Sequence, residues 1–165
     1  MNKPKFREEP LSKQHNRQDF DCGDRQLNEF LQRYARQSHE KQTVKTYVVT
    51  EVGSEKIIGF YSITISTLTY DSLPKSLQKG LGRYAVPTYL LARLAVDKAY
   101  QGQGIGGTLL VKALARCKRV AEEVGGIGLL IEAKNEAVAD WYQLFGAMPL
   151  PDQPLTLIIP FSVLD

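Results

Sequence analysis

The chain has 165 residues, of which 43% are hydrophobic and 24% charged, so it fits one globular domain with a core of its own. Residues 1–10 are polar and charged, and no stretch approaches the roughly 18 apolar residues that a membrane span needs. We therefore expect a cytoplasmic protein with no membrane partner. The two cysteines, Cys22 and Cys117, have neither the spacing of a disulfide framework nor that of a zinc site, so we expect no metal.

The positive charge is concentrated in the middle of the chain. The net charge is +3, but residues 72–121 carry nine basic residues and one acidic residue, which makes that segment +8 and the remainder −5. Such asymmetry favours an anionic ligand over the central segment, although a solvated basic face would have the same composition.

The first part of the chain is predicted to hold a helix and a hairpin. Residues 1–17 are typical of a short strand followed by a polar loop. A helix follows Asp24, because apolar residues recur there with helical spacing at Leu27, Phe30, Leu31, Tyr34 and Ala35. Residues 43–51 and 56–69 are rich in β-branched and aromatic residues and flank a Gly53-Ser54 turn, which predicts a β-hairpin.

The middle of the chain is predicted to contain a long loop, a buried strand and a long helix. Residues 71–87 are broken by prolines and glycines, and loops of this length are often functional. Residues 88–96 are mostly apolar, as in a strand buried on both faces. A helix over 104–125 has a buried face made of Ile105, Leu109, Leu110, Ala113, Leu114, Cys117 and Ala121.

The C-terminal part is predicted to be strand, helix and strand. A strand covers 127–133, a helix covers 135–145, and a last strand covers 155–160. Asn135 is expected to cap the helix at its start, and Gly146 is expected to end it. The chain contains no internal repeat or linker, so we expect a single domain over residues 1–165.

A glycine-rich segment lies between the buried strand and the long helix. It contains four glycines in six residues, in the run Gln101-Gly102-Gln103-Gly104-Ile105-Gly106-Gly107. Glycines let the backbone approach a ligand closely, and a helix start supplies free N–H groups and a positive dipole end. The segment is therefore predicted to bind a phosphate or pyrophosphate.

One candidate ligand for this loop is a dinucleotide. Gly102, Gly104 and Gly107 match the G-x-G-x-x-G pattern of nicotinamide-binding proteins. However, four residues separate the predicted strand from the loop, and the acidic Glu132 lies 25 residues after Gly107 instead of about 20. The dinucleotide interpretation is therefore the weaker one.

The loop also matches another pattern, Q-x-x-G-x-G, through Gln101, Gly104 and Gly106. Flanking segments agree with it: Ala92 to Asp97 before the loop, then Ala133-Lys134-Asn135, Trp141-Tyr142 and Phe145-Gly146 after it, and Phe20-Asp21-Cys22-Gly23 leading into Leu27 to Leu31. With these residues the chain resembles the GNAT acetyltransferase superfamily, and most closely the GNAT toxins of bacterial type II toxin–antitoxin modules, which acetylate the amino group of aminoacyl-tRNA.

The resemblance implies a fold and a set of cofactor contacts. The GNAT fold is an α/β (α+β) fold with a mixed, mostly antiparallel sheet flanked by helices and a splayed central strand pair. Acetyl-CoA would be held at its pyrophosphate by Gln101, Gly102, Gln103, Gly104, Ile105 and Gly106, joined by Gly107 and Thr108. Leu94, Ala95 and Val96 would contact the pantetheine arm and the acyl carbonyl, and Asn135 would contact the arm, a role compatible with capping the helix.

Tyr142 matches the family tyrosine that protonates the departing thiolate, although a core position beside Trp141 and Phe145 would also explain it. No general base stands out, because His15, His39 and Glu29 are each expected to be structural or solvated. An α-amino group, with a pKa of about 7.7–8.0, is partly neutral at pH 7 and needs little help to attack a thioester. The missing base is therefore compatible with an aminoacyl-tRNA substrate.

The basic residues fit the same resemblance. Lys75, Lys79, Arg83 and Arg93 are expected to contact tRNA phosphates, with recognition through backbone shape and the acceptor end, since only Tyr84 and Tyr89 are available nearby for stacking. A cognate antitoxin and a homodimer are family expectations. Two alternatives stay open: a GNAT acetyltransferase of a small amine or a protein lysine, and a non-catalytic RNA-binding or regulatory domain.

Overall fold

The computed structural model of the chain describes residues 5–165. The part of the predicted N-terminal strand and loop that falls on residues 1–4 lies outside them. The chain forms two compact units. Unit 1 contains the described residues up to Thr64 together with Ala92–Val111, and unit 2 contains Ile65–Leu91 together with Lys112–Asp165. The prediction of a single domain over residues 1–165 stays a prediction.

Seven strands form one sheet in the described residues, with the hydrogen-bonded order β1-β2-β3-β4-β5-β7-β6. The strands are β1 Phe6–Pro10, β2 Lys45–Glu51, β3 Ile57–Leu68, β4 Val86–Val96, β5 Gly128–Glu132, β6 Met148–Leu150 and β7 Gln153–Pro160. The pairs β1–β2, β2–β3, β5–β7 and β6–β7 are antiparallel, and β4–β5 is parallel. The predicted mixed, mostly antiparallel α/β sheet is confirmed, and so is the β2–β3 hairpin.

Five α-helices accompany the strands in the part of the chain that the structure describes. They are α1 Arg25–Glu29, α2 Ala35–Glu40, α3 Lys75–Gln78, α4 Ile105–Val124 and α5 Glu136–Gln143. A π-helical turn joins α1 to α2, and short 3-10 turns cover Tyr70–Ser72, Lys98–Tyr100 and Phe161–Leu164. Between residues 5 and 165, no helix is both long and apolar enough to cross a membrane.

Unit 1 has an aromatic core beneath its N-terminal helix. The ring of Phe60 on β3 meets Phe20 edge-on at 5.5 Å and stacks against Phe30 at 6.3 Å. Asp24 caps α1, because its carboxylate accepts hydrogen bonds from the N–H groups of Gln26 and Leu27, as the sequence predicted for a helix that begins there.

Tyr34 belongs to the apolar spacing that predicted this helix, but it is not buried. Residues Phe30–Tyr34 form a π-helical turn, in which the N–H of Ala35 bonds to the carbonyl of Phe30 five residues back. One extra residue in the turn rotates the subsequent side chains around the helix axis. Ala35 therefore remains fully buried while the Tyr34 side chain is 52% exposed.

Unit 2 has a core made of Leu73, Val86, Leu130, Leu150 and Ile158. The predicted irregular region 71–87 contains α3, and β4 begins at Val86, two residues earlier than predicted. Strand β6 was not predicted, because three residues ending in Leu150 are too few for a periodicity signal. On α4 the predicted apolar face is buried except for Ala121, which is half-buried.

Candidate functional site

The glycine-rich loop begins where β4 ends, and buried Asp97 shapes that corner. Its carboxylate accepts hydrogen bonds from the N–H groups of Ala99 at 3.0 Å and Asp21 at 3.1 Å. Its own N–H donates to the carbonyl of Ile58 on β3 at 2.8 Å. Asp97 therefore ties the end of β4 both to β3 and to the segment before α1.

Gln101 holds the loop from the protein side. Its side-chain amide donates to the carbonyls of Val96, at 2.8 Å, and Cys22, at 3.0 Å. Its backbone N–H bonds to the carbonyl of Lys98 at 3.5 Å. Because its side-chain donor group is bonded to the protein, Gln101 orients the loop, and the N–H groups that remain for a ligand begin at Gly102.

Two glycines after Gln101 take backbone conformations that other residues rarely adopt. Gly102 has a φ of +81° and Gly104 a φ of +80°. Apart from the adjacent residues in the chain, no atom of the described residues lies within 4 Å of a Cβ built on either glycine. The backbone of the loop therefore has left-handed conformations at two residues that face open space. A ligand can approach the backbone closely at such positions.

The start of α4 supplies the donors. Among the described residues, the N–H groups from Gly102 to Gly107 make no hydrogen bond to another protein group apart from those within helices and strands. The N–H and the hydroxyl of Thr108, in contrast, both donate to the carbonyl of Gly104 at 3.2 Å. The first N–H groups of a helix have no intrahelical acceptor, and the helix dipole is positive at this end. Such an arrangement binds a phosphate or pyrophosphate.

Strand β4 also offers free backbone groups next to this loop. Its parallel ladder with β5 ends at the pair Leu91–Ile131, whereas β4 continues to Val96. The edge that carries Leu94, Ala95 and Val96 is therefore not paired with β5. An extended ligand arm can hydrogen-bond to such an edge as an added strand does.

The Phe20–Gly23 segment has a physical role that sequence reasoning missed. Asn28 on α1 donates to Asp21 at 2.9 Å and accepts from the N–H of Cys22 at 2.9 Å. The bond from Asn28 to Asp21 is the main reason that the pKa of Asp21 lies below its ordinary value, with further contributions from the Gly23 N–H and the Lys98 side chain. The segment thus presents the Cys22 carbonyl to Gln101, and only the D-C-G-x-x-x-x-N spacing could have signalled it.

Tyr142 lies in unit 2 on α5. Its side chain is only 8% exposed, and burial raises its pKa to about 12, so the phenol keeps its proton at neutral pH. Trp141 lies against it, with ring centroids 5.0 Å apart, and Trp141 also contacts Phe145 at 4.9 Å. Asn135 caps the same helix as predicted, because its side chain accepts from the N–H of Val138 at 2.9 Å.

The four predicted tRNA contacts differ in their surroundings. Lys75, Lys79 and Arg83 in unit 2 are exposed, and the guanidinium of Arg83 lies 5.9 Å from the ring centroid of Tyr70. Arg93 in unit 1 is half-buried, with its guanidinium 3.6 Å from the ring centroid of Phe30. Burial lowers the pKa of Arg93, but a guanidinium stays charged at neutral pH.

The two histidines have structural partners, as expected. His15 is buried and bonds to Glu9 at 2.7 Å and to the N–H of Ser12 at 3.0 Å. The Nδ1 atom of His39 accepts from the N–H of Thr46 at 3.0 Å. Cys117 is buried in α4, and burial raises the pKa of its thiol to about 12, which keeps it inert at neutral pH. The described residues contain no group of three side chains able to hold a metal ion.

Comparison with known proteins agrees with this geometry. The model of the acetyltransferase (GNAT) domain family matches residues 43–146, which include β4, the loop, α4 and α5. The "Probable toxin TacT" of Sinorhizobium fredii is 29% identical over 94% of this chain and 91% of its own length.

Solved structures also resemble nearly the whole of this chain. AtaT complexed with acetyl-methionyl-tRNAfMet has a TM-score of 0.90 and 30% identity, with 96% of each chain covered. A tyrosine-to-phenylalanine variant of the AtaT toxin, bound to the C-terminus of the antitoxin AtaR and to acetyl-CoA, has a TM-score of 0.80 and 28% identity, with 96% of this chain and 95% of that one covered. Because the family model matches well over half of its residues and includes the glycine-rich loop, this chain belongs to the GNAT acetyltransferase family.

Proposed function

We propose that this chain is the toxin of a type II toxin–antitoxin module, an N-acetyltransferase that moves the acetyl group of acetyl-CoA to the α-amino group of aminoacyl-tRNA and so blocks translation. The proposal rests mainly on the start of α4. Glycines with left-handed backbone conformations there leave a row of backbone N–H groups available to a ligand. The relative TacT is named a toxin, and AtaT is bound to an acetylated aminoacyl-tRNA, which supports the choice of substrate.

The residues of the loop fit the pyrophosphate of coenzyme A. A diphosphate needs several N–H donors at close range, and Gly102 and Gly104 leave room for it because no described atom would meet even a Cβ there. In the proposal, the N–H groups of Gly102, Gln103, Gly104, Ile105, Gly106 and Gly107 bind the diphosphate. Gln101 and Thr108 hold the loop in shape.

The remaining proposed cofactor contacts are with the pantetheine arm of acetyl-CoA. The free edge of β4 at Leu94, Ala95 and Val96 accepts the pantetheine amides, and Asn135 contacts the arm. Bound there, the thioester supplies an activated acetyl carbonyl. The backbone N–H groups of β4 are suited to stabilise the oxygen of that carbonyl as charge develops on it.

Tyr142 supplies the proton that the leaving group needs. The amine nitrogen forms a bond to the acetyl carbon, the carbon–sulfur bond breaks, and the phenol of Tyr142 donates its proton to the departing sulfur. The proton released by the amine passes to water. A buried phenol with a pKa of about 12 keeps its proton at neutral pH, so its O–H can hydrogen-bond to the sulfur as negative charge develops there and pass it the proton as the carbon–sulfur bond breaks. The phenolate then regains a proton from water.

The substrate amine needs no dedicated base in this scheme. With a pKa of about 7.7–8.0 or lower, an α-amino group is partly neutral at pH 7, whereas a lysine amine at about 10.4 is almost fully protonated. His15 and His39 serve structural contacts instead. The nucleophile is therefore an α-amino group in preference to a lysine side chain.

The proposal also covers the binding of tRNA by the basic residues and the association with other protein chains. Lys75, Lys79, Arg83 and Arg93 bind tRNA phosphates, because cations attract the phosphate backbone without reading bases. A cognate antitoxin neutralises the protein in its host, and the protein acts in the cytoplasm as a homodimer. AtaT bound to the C-terminus of its antitoxin supports the first of these partners.

A transfer assay tests the proposed function. The protein is incubated with labelled acetyl-CoA and either charged or uncharged tRNA, and label is tracked through alkaline release of the aminoacyl end. We expect label on the N-acetyl amino acid from charged tRNA alone. Label only on a small amine or a protein lysine would favour the other GNAT interpretation. Binding of RNA without binding of acetyl-CoA would favour a non-catalytic domain.

A further inference from the structure

Unit 2 contains a surface pocket that no step of the proposed mechanism uses. Its volume is about 290 Å³, and its lining consists of Thr69, Tyr70, Asp71, Arg83, Tyr84 and Ala85. We refer to it as the Tyr84 pocket. It lies between the end of β3 and the start of β4, in the segment that the sequence predicted to be functional because of its length.

The ring of Tyr84 is exposed and yet supported. Its side chain is 82% exposed, although a tyrosine usually covers its ring with protein. A Cβ built on Gly82 would lie 3.0 Å from Cδ2 of Tyr84 and 3.3 Å from Cε2. The bare backbone at Gly82 therefore lets the ring rest against the chain while most of its surface faces solvent.

The other lining residues add an aromatic ring, a guanidinium group and a carboxylate to the pocket. The guanidinium of Arg83 lies over the ring of Tyr70, 5.9 Å from its centroid, which leaves a planar cation beside a planar ring. Asp71 contributes a carboxylate to the lining and is exposed. A carboxylate repels phosphate but accepts hydrogen bonds from exocyclic amino groups of bases. These groups thus favour the binding of a nucleobase in the pocket over the binding of a phosphate.

The surroundings favour RNA over other sources of a flat ring. Lys75 and Lys79, in and directly after α3, are exposed in the same unit and add positive charge without lining the pocket. Proteins that bind single-stranded nucleic acid combine such cations with aromatic rings on which bases stack. A pocket of this volume is at the small end of ligand sites and suits one base.

We infer that the Tyr84 pocket binds one unpaired nucleobase of the single-stranded 3′ end of the RNA substrate, stacked on Tyr84 and flanked by Arg83. The inference rests on the proposed function and adds a base contact to a surface expected to read only phosphates. It also assigns different roles to the two tyrosines that were available for stacking. Tyr89 is 8% exposed and donates its hydroxyl proton to the carbonyl of Gly125, so it offers no ring for stacking.

A fluorescence titration tests the inference. The probe is an acceptor-stem RNA hairpin with 2-aminopurine at its single-stranded 3′ terminus, whose emission falls when it stacks on an aromatic ring. We expect wild type and Tyr84→Phe to bind the probe and quench it. Tyr84→Ala should lose the quenching and bind roughly 5- to 150-fold more weakly, the range found when one stacking aromatic is removed.

Controls separate the pocket from folding and from the proposed function. Tyr34→Ala removes another exposed tyrosine, on the π-helical turn of unit 1, and should change neither the affinity nor the quenching. Acetyl-CoA affinity should be equal in all four proteins. Unchanged RNA binding and quenching in Tyr84→Ala would overturn the inference, while acetylation of charged tRNA by wild type would still uphold the proposed function. Quenching that depends on Tyr84 without acetyl transfer would refute only the proposed function.

Discussion

Replacing Gly104 by alanine separates the ligand role of the loop from its contribution to stability. Gly104 has a φ of +80°, and a residue with a Cβ in this region costs roughly 1–2 kcal/mol. With no described atom within 4 Å of the new Cβ, no clash inside the protein adds to this strain. For a chain of this size, we expect the melting temperature to fall by about 2–8 °C.

Gly53 provides a matched control on the same unit. It has a φ of +86°, has no described atom within 4 Å of a built Cβ, and lies in the turn of the β2–β3 hairpin. Gly53→Ala should therefore lose as much stability as Gly104→Ala. The two variants differ only in what lies in front of the new methyl group, which at Gly104 is the proposed place of the diphosphate.

Titration calorimetry with acetyl-CoA measures that difference. A hydrogen bond to a charged group contributes about 1.5–3 kcal/mol, so displacing the diphosphate from one N–H donor should weaken binding roughly 10- to 150-fold. Gly53→Ala should bind as wild type does. Gly104→Asp, which places a carboxylate against the phosphates, should abolish binding. Equal acetyl-CoA affinity in Gly104→Ala and Gly53→Ala would refute the assignment of the loop.

Three further predictions concern the acid, the nucleophile and the support of the loop. Tyr142→Phe should lower kcat at least about 100-fold with acetyl-CoA affinity unchanged, and an unchanged kcat in steady-state assays would leave Tyr142 a core residue. The value of kcat/KM should rise with pH as the substrate amine loses its proton, with an apparent pKa below about 8. No fall should occur up to about pH 9.5, because burial raises the pKa of Tyr142 to about 12 and its acid form persists below that pH; a descending limb near pH 9 would contradict this. Asn28→Ala should move the pKa of Asp21 up toward its ordinary value in an NMR titration and weaken acetyl-CoA binding, and an unmoved pKa would remove Asn28 from the network.

Many of the helices, strands and helix caps could be predicted because they depend on residues close together in the sequence. The helix of α4 repeats apolar residues every three to four positions over 20 residues, and the β2–β3 hairpin flanks a glycine turn. Asp24 and Asn135 are side chains whose capping role depends only on the next few residues of the chain. Glycine-rich turns before a helix are also recognisable by composition.

The features that could not be predicted depend on contacts between distant residues or on irregular backbone. The exposure of Tyr34 results from a π-helical turn that no periodicity signals in advance. The support that Gln101 gives the loop depends on hydrogen bonds from its side chain to two carbonyls, one of them at Cys22, 79 residues away in the chain. The predicted buried strand 88–96 already separated Tyr89 from Tyr84 in the loop before it, but the pocket beside Tyr84 depends on contacts between the two ends of that loop.

A crystal structure of this protein with acetyl-CoA would show directly whether the loop binds the diphosphate. We expect the two phosphates within hydrogen-bond distance of the N–H groups between Gly102 and Gly107, with the pantetheine arm along Leu94 to Val96 of β4. Diphosphate density anywhere else on the protein, with solvent in front of the α4 start, would contradict this expectation.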